Sequence, residues 1–122
     1  MITIHTINRA YEDAEFNEMF HIMAKRANTH AHAAGFYDEP HEFGTRIALM
    51  HSELSEALEG FRHGNPASEH IPEFSAIEEE LADTVIRIMD TSVENGYKIA
   101  SAIIAKMDYN KTRPYKHGGK VC

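Results

Sequence analysis

Cysteine is almost missing from this chain. A single one, at position 122, leaves no partner for an internal disulfide and fits a reducing compartment. Tryptophan is absent, and cations are scarce: 12 Lys and Arg stand against 19 Asp and Glu. The resulting net charge of −7 argues against a general nucleic-acid binder. No apolar run approaches the length of a membrane span, and the first residues lack the apolar core of a signal peptide. The expectation is therefore a soluble cytoplasmic protein with neither nucleic acid nor membrane as partner.

What is present is unevenly spread. Residues 1–105 carry 7 cations and 18 carboxylates, whereas residues 106–122 carry 5 cations and 1 carboxylate. An acidic body with a basic tail suits an anionic ligand bridged to carboxylates by cations. The 122 residues fit one domain with a modest core, a size at which self-association is common.

Taken in order, Ile2 to Ile7 alternates apolar and polar residues and reads as an extended arm (about residues 1–10). From Asp13 to Ala34 the apolar residues fall at helical steps, and Gly35 is a natural stop before a loop to Pro40. A second helix is predicted from about His41 to Arg62, with Pro40 in its first turn, and a loop from His63 to Pro72. Ser75 and Glu78 have capping-box spacing, which starts a third helix ending near Asn95-Gly96. A fourth carries Ile99, Ile103 and Met107. The chain then breaks up at Pro114 and Gly118-Gly119, as a basic tail over about 111–122. The predicted fold class is all-α, four helices in a bundle.

Two acidic pairs stand out, Glu53 with Glu56 and Glu80 with Asp83. Each is spaced i, i+3, so its carboxylates share one helical face about 4.5 Å apart in rise. One such pair is usually a solvated face, but angular position argues otherwise. At 100° steps the second helix has an apolar stripe of Ile47, Met50, Leu54, Leu58 and Phe61. Glu53 and Glu56 lie about −100° and −160° from its centre, among Leu49, Ala57 and Gly60. The third helix, with the stripe Ile77, Leu81, Val85 and Ile88, puts Glu80 and Asp83 at the same two angles. In antiparallel neighbours, four carboxylates converge at the edge of the core. Like charges that close need cations, and a hard divalent ion with oxygen ligands is the natural one. The bland alternative is neutralisation by Arg87, four residues after Asp83; Arg87 is equally placed to support Asp83 at a metal site.

The basic segment offers Lys106 and Asn110 on one helical face, then Lys111, Arg113, Tyr115, Lys116, His117 and Lys120. It reads either as a solubilising terminus or as a phosphate clamp. Gly118-Gly119-Lys120 lacks the spacing of a phosphate loop. Two rivals to a magnesium site follow from the side chains. A di-iron bundle wants two Glu-x-x-His motifs, and only Glu18-x-x-His21 matches on a helix. Among the nine histidines, His30, His32, His63 and His70 read as surface or packing residues, whereas His51 lies beside an acidic pair.

Glu53-x-x-Glu56, a 23-residue gap, Glu80-x-x-Asp83 and then Lys106-x-x-x-Asn110 together resemble the MazG-like, all-α nucleoside triphosphate pyrophosphohydrolase family, over about residues 43–116. The resemblance implies a helical bundle assembled as a homodimer or homotetramer, which hydrolyses (d)NTP to (d)NMP and pyrophosphate in nucleotide-pool house-cleaning. By position it implies Glu53, Glu56, Glu80 and Asp83 as ligands of Mg²⁺, with Mn²⁺ a substitute, and Glu53 or Glu56 as general base. It further implies Lys106, Asn110, Lys111, Arg113, Tyr115, Lys116 and Phe61 as substrate contacts. The chain departs from the family in having Ala82 where Gly is frequent, and in having no Trp near the base, for which Phe36, Tyr37 and Phe61 are the available substitutes. The alternative is a non-catalytic helical oligomerisation or binding module with an acidic seam.

Overall fold

A computed structural model describes residues 1–40, 42–119 and 121; His41, Lys120 and Cys122, and the side chain of His117, lie outside the described residues. The described chain is all-helical: α1 (Ile4–Ala33), α2 (Phe43–Arg62), α3 (Ala76–Asn95), α4 (Ile99–Lys111) and the single turn α5 (Lys116–Gly119). No helix among the described residues is long and apolar enough to cross a membrane. Residues 23–97 form one compact unit, and residues 1–22 with 98–122 another.

Local chemistry sets the helix boundaries. The expected extended arm is instead the first turn of α1, because Thr3 accepts the backbone N–H of Thr6 through its hydroxyl at 3.1 Å and caps the helix. With neither glycine nor proline from Ile4 to Ala33, nothing interrupts the 30 residues that follow. The first three helices close alike. The N–H pairs of Gly35 and Phe36, Gly64 and Asn65, and Gly96 and Tyr97 donate back to the last turns at 2.8–3.2 Å. The glycine of each pair has φ of +86°, +79° or +69°, a conformation that favours a residue without Cβ. α2 begins after Glu42, so Pro40 stands before the helix rather than in its first turn. The capping box at Ser75 and Glu78 is complete in both directions. α4 runs to Lys111, and the tail is not wholly irregular, since α5 follows the break at Pro114.

The segment from 63 to 75 is more than a connector. Ser68, buried, accepts the N–H groups of His70 and Ile71 at 3.2 and 3.1 Å, and Asn65 accepts the N–H of Ile77 at 3.0 Å. These bonds fix the approach of α3 to α2, the closest-packed pair of helices. Contact is through small residues: a Cβ placed on Gly60 would stand 3.2 Å from that of Ala76. The buried side of the pair is Glu53 and Ala57 on α2 and Thr84, Thr91 and Ser92 on α3.

On α2 that side is not the one the apolar stripe predicts, and on α3 it coincides with the stripe only in part, at half-buried Ile77 and Ile88. Leu54, Leu58 and Phe61 of α2 and Leu81 and Val85 of α3 remain exposed, Phe61 at 69%. The residues that reach full burial are small or polar, and no large side chain does so among the described residues. Close approach of two backbones requires small residues at the crossing, and on α2 the arc through Ala57 and Gly60 supplies them.

Candidate functional site

Burying the small-residue arc carries the carboxylates inward with it. Glu53 on α2 and Glu80 and Asp83 on α3 each bring one carboxylate oxygen to within 4.8 Å of the other two. Glu53 is 8% exposed. Its oxygen Oε1 accepts two bonds from Arg87, from Nε and from Nη2, both at 2.9 Å. Arg87 therefore crosses from α3 to α2 rather than pairing with Asp83 on its own helix. Glu80 has the opposite surroundings. Its Oε2 is buried and meets no hydrogen-bond donor among the described residues.

The electrostatics follow from those neighbours. Burial pushes Glu80 up, hydrogen-bonded contact with the Glu53 and Glu56 carboxylates pushes it further, and its carboxyl stands at about 8. Asp83 is likewise raised, by burial and then by the charge of Glu53. Burial would also raise Glu53, but the hydrogen bonds and charge of Arg87, helped by bonds shared with Glu80 and Glu56, bring it below its ordinary range. At neutral pH the cluster thus holds the Arg87 guanidinium and a proton on Glu80. Glu56 is exposed and outside the tight triad, yet close enough to share in these hydrogen bonds.

A cavity of about 220 Å³ opens beside the cluster. Ala27, Ala31, Phe36 and Ile86 form its apolar lining, with His30, and Glu53, Asp83, Arg87 and Asp90 its charged side. Phe36, itself exposed, lines this cavity, whereas Phe61, also exposed, lies on the last turn of α2 and does not. Arg46 braces the loop that carries Phe36. It donates to the Tyr37 hydroxyl at 2.5 Å, lies 4.1 Å from the centre of the Tyr37 ring, and stands 3.7 Å from Asp90. His32 stacks on Tyr37, with the two ring centres 4.3 Å apart. Burial, then Asp90 through hydrogen bond and charge, pushes the Tyr37 phenol up to about 12. Asn28 completes the brace by donating to Asp90 at 2.9 Å and to Glu94 at 2.8 Å.

Sequence reasoning passed over Asp90 and Glu94, and the signal was there. Asp83, Arg87, Asp90 and Glu94 follow one another at steps of four, three and four, a charged stripe on one face of α3. Glu79 was also passed over. It turns away from the triad, accepts from Ser68, and sits 2.6 Å from Nδ1 of His70. Those two contacts hold its carboxyl below the usual range and raise the His70 imidazole.

The basic residues belong to the unit formed by 1–22 and 98–122. Lys106, Asn110 and Lys111 are exposed on α4, Arg113 is half-buried, and Tyr115 and Lys116 are exposed beyond it. Lys106 and Lys116 lie over the rings of Tyr109 and Tyr115, at 4.5 and 5.7 Å. Within the same unit, Asp108 holds Arg9, and Ser101 donates to Asn17 at 2.9 Å. His51 is exposed on α2 and is not one of the three clustered ligands.

No family model, no curated protein and no solved structure matches this chain.

Proposed function

We propose that the chain is a Mg²⁺-dependent nucleoside triphosphate pyrophosphohydrolase of the MazG-like, all-α kind, acting on the α–β phosphoanhydride bond. The observation that carries this reading is the convergence of Glu53, Glu80 and Asp83, with one buried Glu80 oxygen left without a donor. The donor set fits the ion: three hard oxygens within 4.8 Å of one another. Carboxylate oxygens are the ligands a hard divalent cation takes. Mn²⁺ suits the same oxygens.

Glu53, Glu56, Glu80 and Asp83 would hold the ion, which would neutralise phosphate charge and acidify a water. The residues do the rest. A water oxygen bonds to the α-phosphorus as the bond from that phosphorus to the bridging oxygen breaks. Pyrophosphate leaves, and Glu53 or Glu56 takes the proton of the water. Lys106, Lys111, Arg113 and Lys116 offset charge on the phosphates, with Asn110 and Tyr115 as further substrate contacts. Phe36, Tyr37 and Phe61 are the rings available to the base, and of these Phe36 lines the cavity next to the triad. The exposed stripes of α2 and α3 support a homodimer or homotetramer, in which a second copy covers them.

One observation favours the alternative, a non-catalytic helical module: Arg87 already pairs with Glu53. The test is a pyrophosphate-release screen over ordinary and modified nucleoside triphosphates, with and without Mg²⁺. The expected result is Mg²⁺-dependent release by the wild type. Glu53→Gln and Asp83→Asn should lose it, by a factor on the order of 10² or more, with unchanged helical circular dichroism. Full activity in either variant, or no release from any substrate, rejects the assignment.

A further inference from the structure

We propose that Arg87 is a resident counter-cation: it balances Glu53 in the metal-free chain, and a divalent ion binds the cluster only by displacing it. Arg87 thereby sets the metal affinity of the site. The inference rests on the metal-site reading above and deepens it.

Both guanidinium nitrogens of the pair reach the same carboxylate oxygen, Oε1 of Glu53, at 2.9 Å. That oxygen is one a metal ion would need. A guanidinium does not lose its proton in proteins, so Arg87 cannot yield the position by neutralising; it has to move. The two partners differ in their freedom to do so. The Glu53 side chain is 10% exposed and fixed between the helices, whereas that of Arg87 is 40% exposed. Arg87 also lines the 220 Å³ cavity, and Asp90, three residues further along α3, lines it too. An arginine released from Glu53 therefore has both open space and a second carboxylate within its own helical neighbourhood.

The same geometry explains why an arginine stands there. Without it, Glu53 would face Glu80 and Asp83 with no cation present. The cost of this arrangement is repulsion between guanidinium and metal, which is strong at contact distance beneath a helix pair. Arg87 acts through Glu53, so it is a positioning residue rather than a catalytic one.

Calorimetric titration with Mg²⁺, and melting in EDTA and in Mg²⁺, test this on wild type, Arg87→Met and Arg87→Lys. The Met variant is expected to bind Mg²⁺ about tenfold more tightly. It should also melt lower than wild type in EDTA, so that Mg²⁺ raises its melting temperature by a larger interval. Arg87→Lys, which keeps the charge, should stay within about threefold of wild-type affinity. In the wild type, the Nε–H resonance of Arg87 should lose its protection from solvent exchange as Mg²⁺ saturates the site; this readout stands even if the Met variant fails to fold. Wild-type binding of Mg²⁺ with equal or weaker binding by Arg87→Met, or a protected Nε–H at saturation, overturns the inference and leaves the metal site intact. If neither wild type nor Arg87→Met binds Mg²⁺, the metal-site reading itself fails and takes this inference with it.

Discussion

Glu80 carries the least comfortable charge in the molecule. Its carboxyl ordinarily titrates near 4.5 and stands at about 8 in the folded chain, through burial and then through Glu53 and Glu56. Between those values the folded chain keeps a proton that the unfolded chain has released. Folding is therefore favoured at the acid end of the window, and the advantage is lost as pH rises toward 8. Depressed carboxyls such as Glu79 and Glu94 are already ionised in both states above about pH 5 and do not oppose the trend. His70, raised from 6.5, adds a decline of the same sign only above that value. In EDTA, the melting temperature should fall from about pH 5 to about pH 6.5, and this fall should be much reduced in Glu80→Gln. A flat profile in the wild type would mean that Glu80 is ionised like any surface carboxylate. The i, i+3 pairs at matched angles on two helices predict that four carboxylates converge; Glu53, Glu80 and Asp83 do come together, and Glu56 stays outside the triad. The partner of Arg87 was not legible in the sequence. Spacing nominates Asp83 on its own helix, and only the separation of α2 from α3 decides in favour of Glu53.

At the scale of elements, the α2–α3 pair depends on how closely two backbones approach and how firmly α3 is started. Gly60 packs on Ala76, where an added Cβ meets another at 3.2 Å. Gly60→Val, with a stiff branched side chain, should destabilise the fold by about 1–3 kcal/mol, read from denaturant unfolding. Ser75→Ala removes one half of the capping box and should cost about 1 kcal/mol in the same measurement. A cost within error for Gly60→Val would show that the helices stand further apart at this point. Helical periodicity told which residues share a face but not which face turns inward, and the stripe through Leu54 and Leu81 is exposed for that reason. Ala57 and Gly60, on the arc beside that stripe, mark the crossing, since a close approach excludes Leu and Phe. The loop from 63 to 75 was legible only as a loop. Its order comes from side-chain bonds of Asn65, Ser68 and Glu79 to partners whose proximity follows from the fold.

For the whole molecule, the exposed apolar side chains matter most. Leu54, Leu58 and Leu81 are each between 45 and 49% exposed, alongside Val85 and Phe61. Isolated apolar residues on a surface are ordinary, but an exposed apolar stripe on each of two adjacent helices is more than that. The proposed assembly places a second copy there. Leu58→Glu should convert the assembled protein to monomer, measured by light scattering after size exclusion, and retain most of the helical circular dichroism. A wild-type protein that is already monomeric at micromolar concentration would leave these stripes without a partner and contradict the assembly.

The central physical claim is that Glu53, Glu80 and Asp83 hold one divalent cation jointly, and calorimetric titration of Mg²⁺ into the metal-free protein tests it most directly. The account predicts saturable binding by the wild type, with protons released near neutral pH as Glu80 gives up its own, and an affinity on the order of 10² lower in Asp83→Asn. Heats indistinguishable between wild type and Asp83→Asn, with no proton release in either, would contradict it.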